Sequence, residues 1–223
     1  MTAHEYLIRR TTPDDWRQVR ELRLEMIRDT PAAYVETLEQ AEAHDEAEWR
    51  LRGARGHAEH GISIVAVAPS GRWVATMGGF VPDAASGPLL VGVYVAPDVR
   101  GREVGLADAM LTTVEDWART EADRLTLHVH EDNARARAFY LRRGFVATGR
   151  TLPYPLAPEQ REVEMVRDLG SAVPGTADPS PDSGRDVADQ PATDRPAADR
   201  PATDRAATER LADLRARPAE ETR

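Results

Sequence analysis

The run Arg100-Gly101-Arg102-Glu103-Val104-Gly105 sets arginines and glycines immediately ahead of a helical stretch, a combination suited to an anion. Before it, Leu89, Val91, Val93 and Val95 alternate at period two and Pro97 ends the strand; after it, Leu106 to Thr120 has the apolar spacing of a helix. The first amides of a helix have no partner within it and stand at the positive end of its dipole. A strand, a glycine-containing turn and a helix start therefore make a cradle whose natural partner is a phosphate group.

The elements that must position this turn interleave along the chain. Tyr6 to Arg10 reads as a strand, and Pro13-Asp14-Asp15 caps a helix from about Trp16 to Arg28 whose Val19, Leu22, Met26 and Ile27 face a core. Leu38 to Glu59 reads as a second helix, rich in alanine, glutamate and arginine; its thin apolar face makes part of it a candidate lid. Ile62 to Ala68 and Trp73 to Val81 form a hairpin across Pro69-Ser70-Gly71. Leu106, Met110, Leu111, Val114 and Trp117 share one side of their helix, and Leu125, Leu127 and Val129 alternate in the next strand. Asn133 to Arg143 is helical with Gly144 as its C-cap, and strands follow at Phe145 to Arg150 and Glu162 to Asp168. Alternating strands and helices place the fold in the α/β or α+β class.

The 223 residues, 41% hydrophobic, suffice for one domain with an appendage. Residues 1–169 form the domain; residues 170–223 carry no aromatic residue and repeat Ala-Thr-Asp-Arg-Pro-like units from Ala192 to Ala206, so they read as a low-complexity, disordered tail. A formal charge of -9, of which the tail carries -3, argues against a nucleic-acid partner and leans toward a cationic substrate. There is no cysteine, hence no disulfide, thiolate metal site or cysteine nucleophile. Every basic residue is an arginine, which reflects coding composition. No signal segment and no long apolar run is present, which points to the cytoplasm and away from a membrane.

Three features fall in one order: the strand ending Val93-Tyr94-Val95-Ala96-Pro97, the loop Arg100 to Gly105, and Asn133-Ala134-Arg135-Ala136-Arg137-Ala138-Phe139-Tyr140-Leu141-Arg142-Arg143-Gly144-Phe145. On these the chain, from about residue 6 to 169, resembles the GNAT superfamily of acyl-CoA-dependent N-acetyltransferases. The resemblance implies a mixed, largely antiparallel sheet flanked by helices on both faces, in which the Leu89 strand and the Leu125 strand run parallel and splay apart around acetyl-CoA. It assigns the pantetheine arm to backbone groups near Val93 and Val95, and the pyrophosphate to Arg100, Gly101, Arg102, Val104 and Gly105. Glu103 departs from the family pattern, standing where a glycine is expected, and a carboxylate beside a pyrophosphate weakens the cradle.

Tyr140 matches the family tyrosine that protonates the departing thiolate, and a phenol near pKa 10 is chemically suited to that role. Its other reading is a ring packed beside Phe139 at a helix end. Asn133 matches a position that touches the cofactor, and it also serves as an ordinary N-cap. The acceptor amine must be neutral to attack, so a base or a water chain is expected. The candidates are Glu36, His128, His130 and Glu131, each with an alternative as a plain surface or strand residue; no metal site is expected. Trp16, Trp73 and Trp117 read as core anchors, while Trp49 lies in the stretch that lines the acceptor pocket in the family. The implied activity is direct acetyl transfer from acetyl-CoA to a primary amine of a small molecule or protein. A non-catalytic acyl-CoA sensor is the alternative, and a homodimer is a further possibility by analogy with the family.

Overall fold

A computed structural model describes residues 2–83 and 85–170; the tail expected from residue 170 lies outside the described residues except for Gly170. Seven strands form one sheet: β1 (Leu7–Arg10), β2 (Gly61–Val67), β3 (Trp73–Phe80), β4 (Leu89–Val95), β5 (Arg124–His130), β6 (Val146–Tyr154) and β7 (Ala157–Asp168). Their order across the sheet is β1-β2-β3-β4-β5-β7-β6. Every pairing is antiparallel except β4 with β5. The last two strands exceed their expected lengths because they pair with each other around a tight turn at Tyr154 to Ala157.

Helices α1 (Trp16–Asp29), α2 (Leu38–Ala43) and α3 (Glu46–Ala54) pack together beside the sheet. Helix α4 (Leu106–Glu121) forms the crossover that parallel β4 and β5 require, and α5 (Ala134–Arg142) precedes β6. The expected apolar side of α4 is fully buried, from Leu106 through Met110, Leu111 and Val114 to Trp117. Each such leucine or valine contributes about 1.5–3 kcal/mol relative to exposure. Trp117 packs so close to β3 that a Cβ at Gly79 would overlap its ring. Buried Glu115, on the same helix, takes ion pairs from Arg143 at the end of α5 and Arg167 on β7. That pairing ties α5 and β7 to α4.

The single helix expected from Leu38 to Glu59 is two. His44 is extended, and the Asp45 side chain caps the new helix by accepting from the Glu48 amide at 2.9 Å. Trp49 is 1% exposed and donates its indole N–H to the His44 carbonyl, so it is a core anchor of α3 and not a wall of an open pocket. Gly53 lies against the backbone of Thr12 with no room for a Cβ, which fixes the stretch proposed as a lid against the start of α1.

Candidate active site

The site begins where β4 and β5 part. They pair only at Leu89 with Thr126 and Leu90 with Leu127, and beyond Leu90 β4 follows β3 alone. The cause sits in β4 itself. Gly92 has φ +61, and the register with β3 shifts between Thr76 and Gly78, so β4 carries a bulge at Gly92 and Val93 that bends it away from β5. Past the bulge Ala96 donates its amide to the Val74 carbonyl at 2.7 Å; Val95, one residue away, therefore turns its own amide and carbonyl from β3 toward the gap. Two hydrogen bonds agree with that orientation: Tyr34 Oη donates to the Val93 carbonyl at 3.1 Å, and Arg100 Nε donates to the Val95 carbonyl at 2.6 Å.

Below the gap, the Arg100 to Gly105 turn enters α4 through Gly105, an N-cap in the left-handed conformation with φ +70. Gly101, Arg102 and Glu103 are exposed and Val104 is half-buried. The Glu103 side chain folds back over Gly101, where a Cβ would collide with its carboxylate. The Arg100 guanidinium does not reach into this turn. It lies across the end of β4, ion-paired to Asp29 at the end of α1 and near the Tyr94 ring. Partial burial would raise the Asp29 carboxyl, but hydrogen bonds from Arg100 and Thr30 outweigh it and hold the pKa below its ordinary value.

Tyr140 stands at the last turn of α5, 6% exposed, with its ring set edge-on to Phe139 and Phe145. Burial raises its pKa and the nearby Tyr34 phenol adds to the rise, so the hydroxyl stays protonated. Among the described residues that hydroxyl has no hydrogen-bond partner, unlike that of Tyr34. The two readings of Tyr140 are thus compatible, since the ring is packed while its proton is uncommitted. Asn133 caps α5 by accepting from the Ala136 amide at 3.1 Å.

Hydrogen bonds hold three of the four candidate bases, Glu36, His130 and Glu131, in the fold. Glu36 accepts from Arg23 at 2.7 Å and from both terminal nitrogens of Arg52, with His44 Nε2 at 2.8 Å. Burial would raise its pKa, but the paired guanidinium groups of Arg52 and Arg23 hold it at about 2. His130 is buried; its Nδ1 accepts from the Asp132 amide and its Nε2 lies 2.7 Å from Gln160 Oε1. Glu131 accepts from the Arg161 amide at 2.7 Å, and His128 lies 3.5 Å from Glu164 on β7.

Tyr34, absent from the sequence-based candidates, joins these parts. Its hydroxyl reaches Val93 in the gap, its carbonyl accepts from Tyr154 Oη at 2.8 Å, and Tyr154 borders a pocket of about 370 Å³. That pocket lies between the short turn Pro31–Ala33 and the β6–β7 turn, walled by Ile27, Pro31, Ala32, Leu38, Tyr154 and Leu156. Among the described residues no cluster of His, Asp or Glu is placed to hold a metal ion, and no helix is long and apolar enough to cross a membrane.

The architecture recurs in proteins of known structure. An acetyltransferase of the GNAT family from Streptococcus pneumoniae superposes with a TM-score of 0.62 at 18% identity, over 74% of this chain and 100% of the other. Spermidine N-acetyltransferase from Vibrio cholerae, solved with CoA and spermine, superposes with a TM-score of 0.58 at 16% identity, over 74% and 96% of the two chains. At these identities the likeness is one of fold. In sequence, 77 residues are 38% identical to the peptidyl-lysine N-acetyltransferase YjaB of Salmonella typhimurium, covering 32% of this chain; the match spans about half (49%) of that relative's length. Residues 18–145, which run from α1 past Tyr140 and include the bulged strand and the Arg100 to Gly105 turn, match the acetyltransferase (GNAT) family, and the chain belongs to that family.

Proposed function

We propose that this protein transfers an acetyl group from acetyl-CoA to a primary amine, with the donor laid along β4 in the gap and the amine arriving from the pocket beyond Tyr34. The observation that carries this reading is the parting of β4 from β5 after Leu90, which leaves the outer edge of β4 up to Val95 without a strand partner a few residues ahead of the α4 N-terminus. Acetyl-CoA supplies an acetyl group activated as a thioester. The Val93 and Val95 amides suit the pantetheine arm as an added strand suits a sheet edge, and the amide near Val95 is placed to polarise the acyl carbonyl. Gly101, Arg102, Val104 and Gly105 suit the pyrophosphate. Arg100 supports the same site from behind by fixing the end of β4 to α1, and Asn133 by starting α5 in register.

Tyr140 holds a proton at Oη and gives it to the departing thiolate. With Glu36, His130 and Glu131 tied into the fold, the incoming amine loses its own proton to water. Activity is then expected to rise with pH until the amine itself is neutral. The CoA- and spermine-bound structural relative and the partial peptidyl-lysine relative make a polyamine and a lysine side chain the acceptors to test first.

The test is thiol release from acetyl-CoA across a panel of amines. Tyr140→Phe is expected to lower kcat by about 10²-fold or more while leaving the acetyl-CoA Kd unchanged, because it removes one proton and little else. Full turnover in that variant would remove Tyr140 from the chemistry. Binding of acetyl-CoA with no thiol release on any amine would favour a sensor over an enzyme.

A further inference from the structure

Resting on the acetyl-transfer reading, we infer that the acceptor is a small primary amine borne beside one uncharged apolar group, aromatic or branched alkyl, and not a polycation. The formal charge of the chain favours a cation, but that charge does not reach the pocket as free carboxylate. Each polar group on its border is already committed. Glu36 is neutralised by Arg23 and Arg52, and the Thr37 hydroxyl accepts from the Gln40 amide as the cap of α2. The Tyr154 hydroxyl is spent on the Tyr34 carbonyl. Arg28, at the rim, is paired with Glu42, so these two charges are spent on each other.

What remains is the apolar wall from Ile27, Pro31 and Ala32 across to Leu38 and Leu156. A second ammonium group would lose part of its water against that wall without gaining a carboxylate, which is unfavourable. An aromatic or branched alkyl group gains with every apolar atom it buries. The volume of about 370 Å³ is at the small end of ligand sites and suits a single such group.

The experiment measures thiol release by the full-length protein with phenethylamine, isoamylamine, putrescine and spermidine, alongside acetyl-CoA binding by calorimetry. The expected result is a kcat/KM for phenethylamine and isoamylamine at least about tenfold above that for either polyamine. Leu156 is 39% exposed, so Leu156→Asp adds a carboxylate at the pocket mouth without burying it in the core. That variant, and Ala32→Asp on the facing and also exposed wall, should narrow the ratio or reverse it. Spermidine turned over as well as phenethylamine by the wild type, with acetyl-CoA bound, would overturn the acceptor class and leave acetyl transfer standing. No thiol release from any of the amines would overturn both.

Discussion

The gap between β4 and β5 and the pocket beside Tyr154 are joined through a single residue, Tyr34, yet they are built on opposite principles. In the gap the sheet stops pairing, so the Val95 amide, which a neighbouring strand would have used, faces away from β3, a few residues ahead of a helix N-terminus. In the pocket every bordering polar group has found a partner inside the chain, and only apolar surface is left to a ligand. On the proposed function, polar recognition lies where secondary structure is interrupted, and apolar recognition lies where side-chain pairing is complete.

The comparison breaks most severely if the pairing on the pocket side is removed. Glu36→Gln leaves Arg23 and Arg52, both mostly buried, without their carboxylate, and should cost about 2 kcal/mol of stability after allowance for solvent screening. The pH dependence gives the sign. The Glu36 pKa is depressed to about 2 from an ordinary value of 4.5, so its contribution is fully present above about pH 4.5 and is lost as the pH falls toward 2. Thermal melts of the two proteins should differ most near neutrality and converge in that acidic window. The variant is expected to keep its turnover wherever it remains folded; a collapse of kcat in the folded variant would make Glu36 the missing base.

The gap side is broken by a smaller change. At Gly92 nothing lies within 4 Å of a built Cβ, so Gly92→Ala meets no steric obstacle and only the cost of φ +61, about 1–2 kcal/mol. The chain can relieve that cost by flattening the bulge, which would turn Val93 and Val95 from the gap. Acetyl-CoA affinity should therefore fall by more than the change in melting temperature alone suggests. A variant that melts lower but binds acetyl-CoA as before would separate the bulge from the site.

The sequence makes the gap legible and hides the pocket, for a physical reason. Valine alternation, Pro97 and the Arg100 to Gly105 turn are local signals, and they yield the strand, its end and the helix start. Gly92 sits inside that pattern, and an isolated glycine in a strand is a bulge signal that the alternation of its neighbours obscures. The break between α2 and α3 also has a local signal, Asp45 three residues before Glu48, easily lost in a run rich in acidic residues. Tyr34 carries no local signal at all: its partners Val93 and Tyr154 are 59 and 120 residues away. Likewise the fate of Glu36 depends on Arg23 from α1 and Arg52 from α3, which no spacing reveals.

The finest distinction concerns the lower end of the gap, where one side chain imports the logic of the pocket. Glu103 lies over Gly101, so its own carboxylate occupies space at the turn proposed to hold the pyrophosphate. Near a helix N-terminus a carboxylate is favoured by about 0.3–1 kcal/mol, a gain that a pyrophosphate must displace and that turns to repulsion once both are present. Glu103→Gly is expected to tighten acetyl-CoA binding by about two- to fivefold at low salt, with the gain shrinking as salt screens the carboxylate. Glu103→Gln keeps the bulk and removes the charge. If both variants bind more tightly, the charge is responsible; if only the glycine does, the gain comes from backbone freedom in the turn. An unchanged Kd in both would mean that the side chain swings clear at no cost, and that the turn accepts a phosphate as readily with a glutamate as with a glycine.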